Sequence, residues 1–141
     1  MNKYSDLTVT KLRLDIELEL VGHPEFRITA EPALTQDKQT INQNIIKQTY
    51  YLDLLTPFSV TIELYNKIYN IDNRSAIIIN RLSVDNIDLI PRYDYLAEYI
   101  NDHDNNSPTS YLGFNGKWRL TIDRPFYQWL HQVTAQGWLL E

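Results

Sequence analysis

Leu12-Arg13-Leu14-Asp15-Ile16-Glu17-Leu18-Glu19-Leu20 is the stretch that decides the fold class of this chain. Aliphatic and charged side chains alternate at every step. In an extended backbone, period two places Leu12, Leu14, Ile16, Leu18 and Leu20 on one face and Arg13, Asp15, Glu17 and Glu19 on the other. A helix would scatter the same residues around its axis. The segment therefore reads as a half-buried β-strand, and its charged side makes it a poor template for edge-to-edge aggregation. The same alternation denies this region the continuous apolar run that a signal peptide or a membrane helix needs.

Working outward, Gly22-His23-Pro24 breaks this strand and Phe26-Arg27-Ile28 begins a second. Ile41, Ile45 and Ile46 fall at helical spacing, yet the β-branched and aromatic content of Ile45 to Leu52 favours a strand. Phe58 to Leu64 alternates cleanly behind Pro57. Asp72-Asn73-Arg74 makes a turn, and Ser75 to Asn80 is short and apolar, as a strand buried on both faces would be. Val84 to Ile90 suggests a further strand divided by Asp85, Asn86 and Asp88. Residues 91–100 fit a short helix or an irregular strand, and Asn101 to Pro108 reads as surface loop. Asn115-Gly116, between Tyr111–Phe114 and Lys117–Ile122, is a hairpin signal that puts Trp118, Leu120 and Ile122 on an inner face.

The period then changes. Phe126, Trp129, Leu130 and Val133 recur at i, i+3, i+4 and i+7, which marks a short amphipathic helix. Asp123 is the expected N-cap, Pro125 sits in the first turn, and Gly137 is the expected stop. Trp138-Leu139-Leu140 then returns to apolar contact. The whole chain, residues 1–141, is expected to be one mainly β domain. The expected architecture is an antiparallel β-sandwich, jelly-roll-like, with a short C-terminal helix and a compact barrel as the alternative.

Composition narrows the chemistry by exclusion. The absence of cysteine removes disulfide scaffolds, Cys-ligated metals and thiol catalysis. No nucleophile elbow, zinc-binding helix, phosphate loop or dinucleotide fingerprint occurs. Glu17 and Glu19 share the wet face of the first strand about 7 Å apart, but a solvated strand lacks the cleft and raised pKa that glycoside hydrolysis requires. The formal charge of −5 opposes nucleic-acid wrapping. A non-enzymatic role is expected.

Two binding features remain. Ten tyrosines are more than a core of this size requires. Tyr93, Tyr95 and Tyr99 stand beside the acidic loop, with Tyr95 and Tyr99 sharing a face if that segment is helical. Together with Trp138 and Leu139, they are the expected interface residues. Asp102, Asp104, Asn105 and Asn106 offer hard oxygen donors, so Asp102, Asp104 and Asn105 are the candidate calcium ligands, although the EF-hand pattern is missing.

Phe114 to Ile122, Asp123 to His131 and Gln136 to Leu140 together resemble the small β-sandwich accessory modules of bacteriophage virions. They are also similar to carbohydrate-binding β-sandwiches. The first resemblance implies a structural or adaptor role with protein partners, in a virion, as part of a larger or homo-oligomeric assembly. The second implies glycan stacking on exposed aromatics, often beside a calcium ion. Neither supplies a motif from which functional residues can be carried over. The expected setting is a virion or the cytoplasm, without membrane insertion.

Overall fold

The computed structural model describes residues 11–90, 92–103 and 110–139, the side chains at 94 and 135–139 excepted. Two antiparallel sheets pack face to face as a β-sandwich. The strands are β1 (Lys11–Val21), β2 (Glu25–Glu31), β3 (Thr35–Gln36), β4 (Thr40–Asn42), β5 (Ile45–Asp53) and β6 (Phe58–Tyr65). They continue with β7 (Ala76–Val84), β8 (Ile87–Ile90), β9 (Glu98–Asn101), β10 (Tyr111–Leu112) and β11 (Gly116–Ile122), and the chain closes on α1 (Phe126–Leu139). The larger sheet runs β10-β7-β1-β5-β3, with β4 also on β5 and β8 also on β7; the smaller runs β2-β6-β11-β9.

β1 lies inside the larger sheet, paired with β5 and β7. Its Leu12, Leu14, Ile16 and Leu18 are buried, and its Arg13, Asp15, Glu17 and Glu19 lie on the outer face. Each buried aliphatic side chain contributes about 1.5–3 kcal/mol relative to exposure, which is what sets the register. Across the interior stand Phe58, Val60, Ile62 and Leu64 of β6 and Trp118, Leu120 and Ile122 of β11. A bulge between Glu17 and Leu18 shifts the pairing with β7 at Asn80, so Arg81 meets Glu17 and Ile79 meets Leu18.

Four local expectations are corrected. Asn115-Gly116 is not a hairpin turn, because β10 pairs with β7 in the larger sheet while β11 pairs with β6 and β9 in the smaller. Gly116 serves there as a point of close approach: a Cβ would fall against the Ile100 carbonyl oxygen and 2.6 Å from Asn101 Cα. The hairpin lies instead at Asp85-Asn86, both at positive φ (50° and 66°), which joins β7 to β8 where one divided strand was expected.

Residues 91–100 combine the two alternatives, a 3-10 turn at Asp94–Leu96 followed by β9. Tyr95 and Tyr99 therefore share no helical face. Finally, α1 starts at Phe126, with Trp129 N–H donating to Pro125 O, and runs through Gly137 to Leu139. Asp123 pairs with Arg124 at 3.2 Å rather than capping. Glycine permits a left-handed stop without imposing one. The helix packs the expected face inward, Phe126 and Trp129 being buried with Leu130 and Val133 against the same core.

Candidate functional site: a braced loop at one end of the sandwich

The connection from β6 to β7, Asn66-Lys67-Ile68-Tyr69-Asn70-Ile71-Asp72-Asn73-Arg74-Ser75, is the feature that burial alone does not explain. Ile68 is 72% exposed and Ile71 is 89% exposed. The loop is nevertheless tightly specified, because its asparagines supply hydrogen bonds in place of a ladder. Asn66 leaves β6 at positive φ (59°), and its amide donates to Glu25 Oε2 at 2.9 Å. Asn70 Oδ1 accepts from Asp72 N–H at 3.0 Å, Asn73 Nδ2 donates to Ile68 O at 2.8 Å, and Asn73 Oδ1 accepts from Ser75 N–H at 3.1 Å.

A second set of contacts ties the loop to the rest of the domain. Asn115 pairs its side-chain amide with the Lys67 backbone, accepting from Lys67 N–H and donating to Lys67 O, each at 2.8 Å. The Lys67 ammonium donates to Gly113 O at 2.7 Å and lies 5.7 Å from the Tyr69 ring centroid. Its partial burial lowers the ammonium's affinity for its proton. The Tyr69 hydroxyl donates to the Asp102 carboxylate, 2.7 Å from Oδ1 and 2.9 Å from Oδ2, and accepts from Asn115 N–H at 2.7 Å. His103 Nδ1 lies 2.8 Å from Asp102 Oδ1. An ionised carboxylate only accepts, so that nitrogen carries the proton. Its ring stacks on Phe114 at 4.1 Å and meets the edge of Tyr69 at 4.6 Å. The Tyr69 and His103 hydrogen bonds hold the Asp102 carboxyl below its ordinary value.

Beneath this cluster sits Tyr99. Its hydroxyl donates to Phe114 O and accepts from Phe114 N–H at 2.9 Å, so both polar groups of Phe114's backbone are satisfied by one side chain. Burial pushes its pKa up to about 12.

The expected binding residues divide accordingly. Tyr93 and Tyr99 are 7% and 4% exposed and belong to the core, which corrects their expected interface role. Tyr93 packs against Trp129 at 6.4 Å, and Tyr99 is held inside by the hydroxyl contacts just described. Tyr95 is 57% exposed, as a contact residue must be. Trp138 and Leu139 lie in the last turn of α1 by backbone, with side chains outside the described residues. Of the candidate calcium ligands, Asp102 is engaged by Tyr69 and His103, while Asp104 and Asn105 fall outside the described residues. Among the described residues, no group of three or more His, Asp or Glu side chains is placed to hold a metal ion. No helix among them is long and apolar enough to cross a membrane.

Sequence reasoning missed Ile68, Tyr69, Ile71, His103, Phe114 and Asn115 as a unit. The available signal was the presence of two isoleucines in a polar stretch that has neither period. No protein-family model, curated protein or solved structure matches the chain.

Proposed function

We propose that this chain is a structural or adaptor module that docks into a larger protein assembly through the β6–β7 loop end of its sandwich. The observation that carries the reading is the pair Ile68 and Ile71, presented to solvent at 72% and 89% exposure on a loop held by side-chain hydrogen bonds. Each isoleucine forgoes about 1.5–3 kcal/mol that burial would supply. A loop already fixed in shape loses little conformational entropy on docking, so most of that free energy is available to a partner. The half-exposed Tyr69 adds an aromatic anchor with a polar tip, and the complementary surface is a protein face with apolar pockets.

Photo-crosslinking tests this with benzoylphenylalanine at position 71, in cells that make the full chain, against the same probe at position 53. A discrete adduct from position 71 that disappears with Ile68→Asp is expected. Equal labelling from both positions, or none, would sink the reading. Light scattering on the purified chain identifies the partner class: a dimer abolished by Ile71→Asp makes it a second copy, and a monomer makes it a different protein.

A further inference from the structure

The outer face of the larger sheet carries a groove of about 400 Å³, distinct from the loop end. Its floor is made by Arg13, Asp15 and Glu17 of β1, Lys47 and Thr49 of β5, and Arg81 of β7. One wall is the segment from Asp37 to Thr40 that links β3 to β4. Asp37 N–H donates to Thr49 O at 2.9 Å, Gln48 Nε2 donates to Asp37 O at 2.7 Å, and the Tyr51 hydroxyl donates to Asp37 Oδ2 at 3.2 Å. Asn86, in the positive-φ turn of β7–β8, stands at the other side.

The floor is organised around Asp15. Its Oδ1 accepts from the Thr49 hydroxyl at 2.7 Å, and Arg13 Nε lies 3.2 Å from Oδ1 and 3.1 Å from Oδ2, which fixes the carboxylate while leaving further lone pairs as acceptors. Glu17 and Lys47 are only loosely paired at 3.8 Å, and Lys38 makes no ion pair with a described residue. The Asp15 carboxylate and the Lys38 ammonium therefore keep hydrogen-bonding capacity at the groove that the chain itself does not use.

The lining chooses the ligand class. Arg81 is neutralised by Asp88 at 2.6 Å, and Arg13, Lys38 and Lys47 are offset by Asp15, Glu17 and Asp37, so the groove has little net field to hold an anion or a cation. With no aromatic residue and only Ile16 as an apolar one in the lining, an apolar ligand gains no area worth burying. An uncharged ligand rich in hydroxyl groups fits, because each hydroxyl both donates and accepts and so matches alternating carboxylate and ammonium or guanidinium partners. We infer that this groove is a binding site for a neutral carbohydrate, seated over Asp15 between the 37–40 segment and the Asp85-Asn86 turn. Without an aromatic platform the site is weak and selects by hydroxyl geometry.

Amide chemical shifts of the full chain, titrated with methyl α-glucopyranoside, methyl α-mannopyranoside, methyl β-galactopyranoside, maltose and cellobiose, test it. Sodium phosphate and arginine serve as charged controls. Saturable shifts confined to residues 13–17, 37–40, 47–49 and 81–86 with at least one sugar are expected. Lys38→Ala, on the exposed wall, weakens that binding at least tenfold without changing the melting temperature, and Asp15→Asn weakens it further. Ile71→Asp leaves it unchanged, which separates this site from the docking loop. No saturable shift with any of the sugars overturns the inference. So does a response to phosphate or arginine that exceeds every sugar's, which would make the groove a charged-ligand site.

Discussion

Asn115 shows how a single side chain fixes the end of the sandwich. Its amide gives Lys67 one donor and one acceptor, the same pair that a neighbouring strand would give, and its backbone N–H meets the Tyr69 hydroxyl. Only a carboxamide fits, because Lys67 O needs a donor and Lys67 N–H needs an acceptor on the same group. Asn115→Asp replaces the donor with a second oxygen and sets it against the Lys67 carbonyl. The expected cost is about 1–3 kcal/mol, the range for a partly buried polar group that loses its partner, read as a lower denaturant midpoint at neutral pH. Unchanged stability would show that the loop does not depend on this pairing. None of this was legible at the residue scale, where Asn115-Gly116 is a strong local turn signal. Local preference yields when each flanking segment finds longer-range partners, here β7 for Tyr111 and Leu112 and β6 for Gly116 to Ile122.

Among the elements, legibility follows the length and purity of the period. β1, β6 and β11 alternate over seven residues or more, and the sequence places each of them; β5 is placed by its β-branched and aromatic content against a competing helical spacing. β3 and β4 are two or three residues long and carry no pattern that could announce them, while β10 lies inside the expected Tyr111–Phe114 strand but pairs with β7 instead of β11. The β7–β8 hairpin was hidden because Asp85 and Asn86 adopt positive φ without glycine, using contacts the sequence does not display. Arg13 N–H donates to Asp85 Oδ1 at 2.8 Å, and the Tyr127 hydroxyl donates to Asp85 Oδ2 at 3.0 Å. The short edge strand β9 depends on its close approach to β11 at Gly116. In Gly116→Ala the methyl group meets the Ile100 carbonyl and the Asn101 backbone, so β9 must shift outward and carry Tyr99 and Asp102 with it. A loss of about 1–3 kcal/mol is expected, typical of overpacking. Hydrogen exchange should show β9 amides losing protection while β1 and β5 keep theirs. Uniform protection across all three strands would disprove that dependence.

For the molecule as a whole, the chain carries an excess of five negative charges, no charged side chain is buried among the described residues, and the interior includes Tyr50 and Tyr99, whose pKa values burial raises. Tyr99 carries the clearest consequence. Its pKa stands at about 12 in the folded chain against an ordinary 10.0, so above pH 10 the unfolded chain releases a proton that the folded chain retains. Stability from this group is therefore fully present below the unfolded value and is lost as pH rises through the folded one, with a slope of up to about 1.4 kcal/mol per pH unit. Tyr50, whose pKa burial also raises, acts in the same direction. Tyr99→Phe should separate two effects of one hydroxyl. At neutral pH it removes the contacts to Phe114 and lowers the denaturant midpoint. Between pH 10 and about 12 it removes a proton-linked loss, so its stability falls less steeply than that of the wild type and the two curves converge. Parallel curves across that window would mean that Tyr99 does not titrate with unfolding, and that the buried clamp beneath the docking loop is held by shape alone.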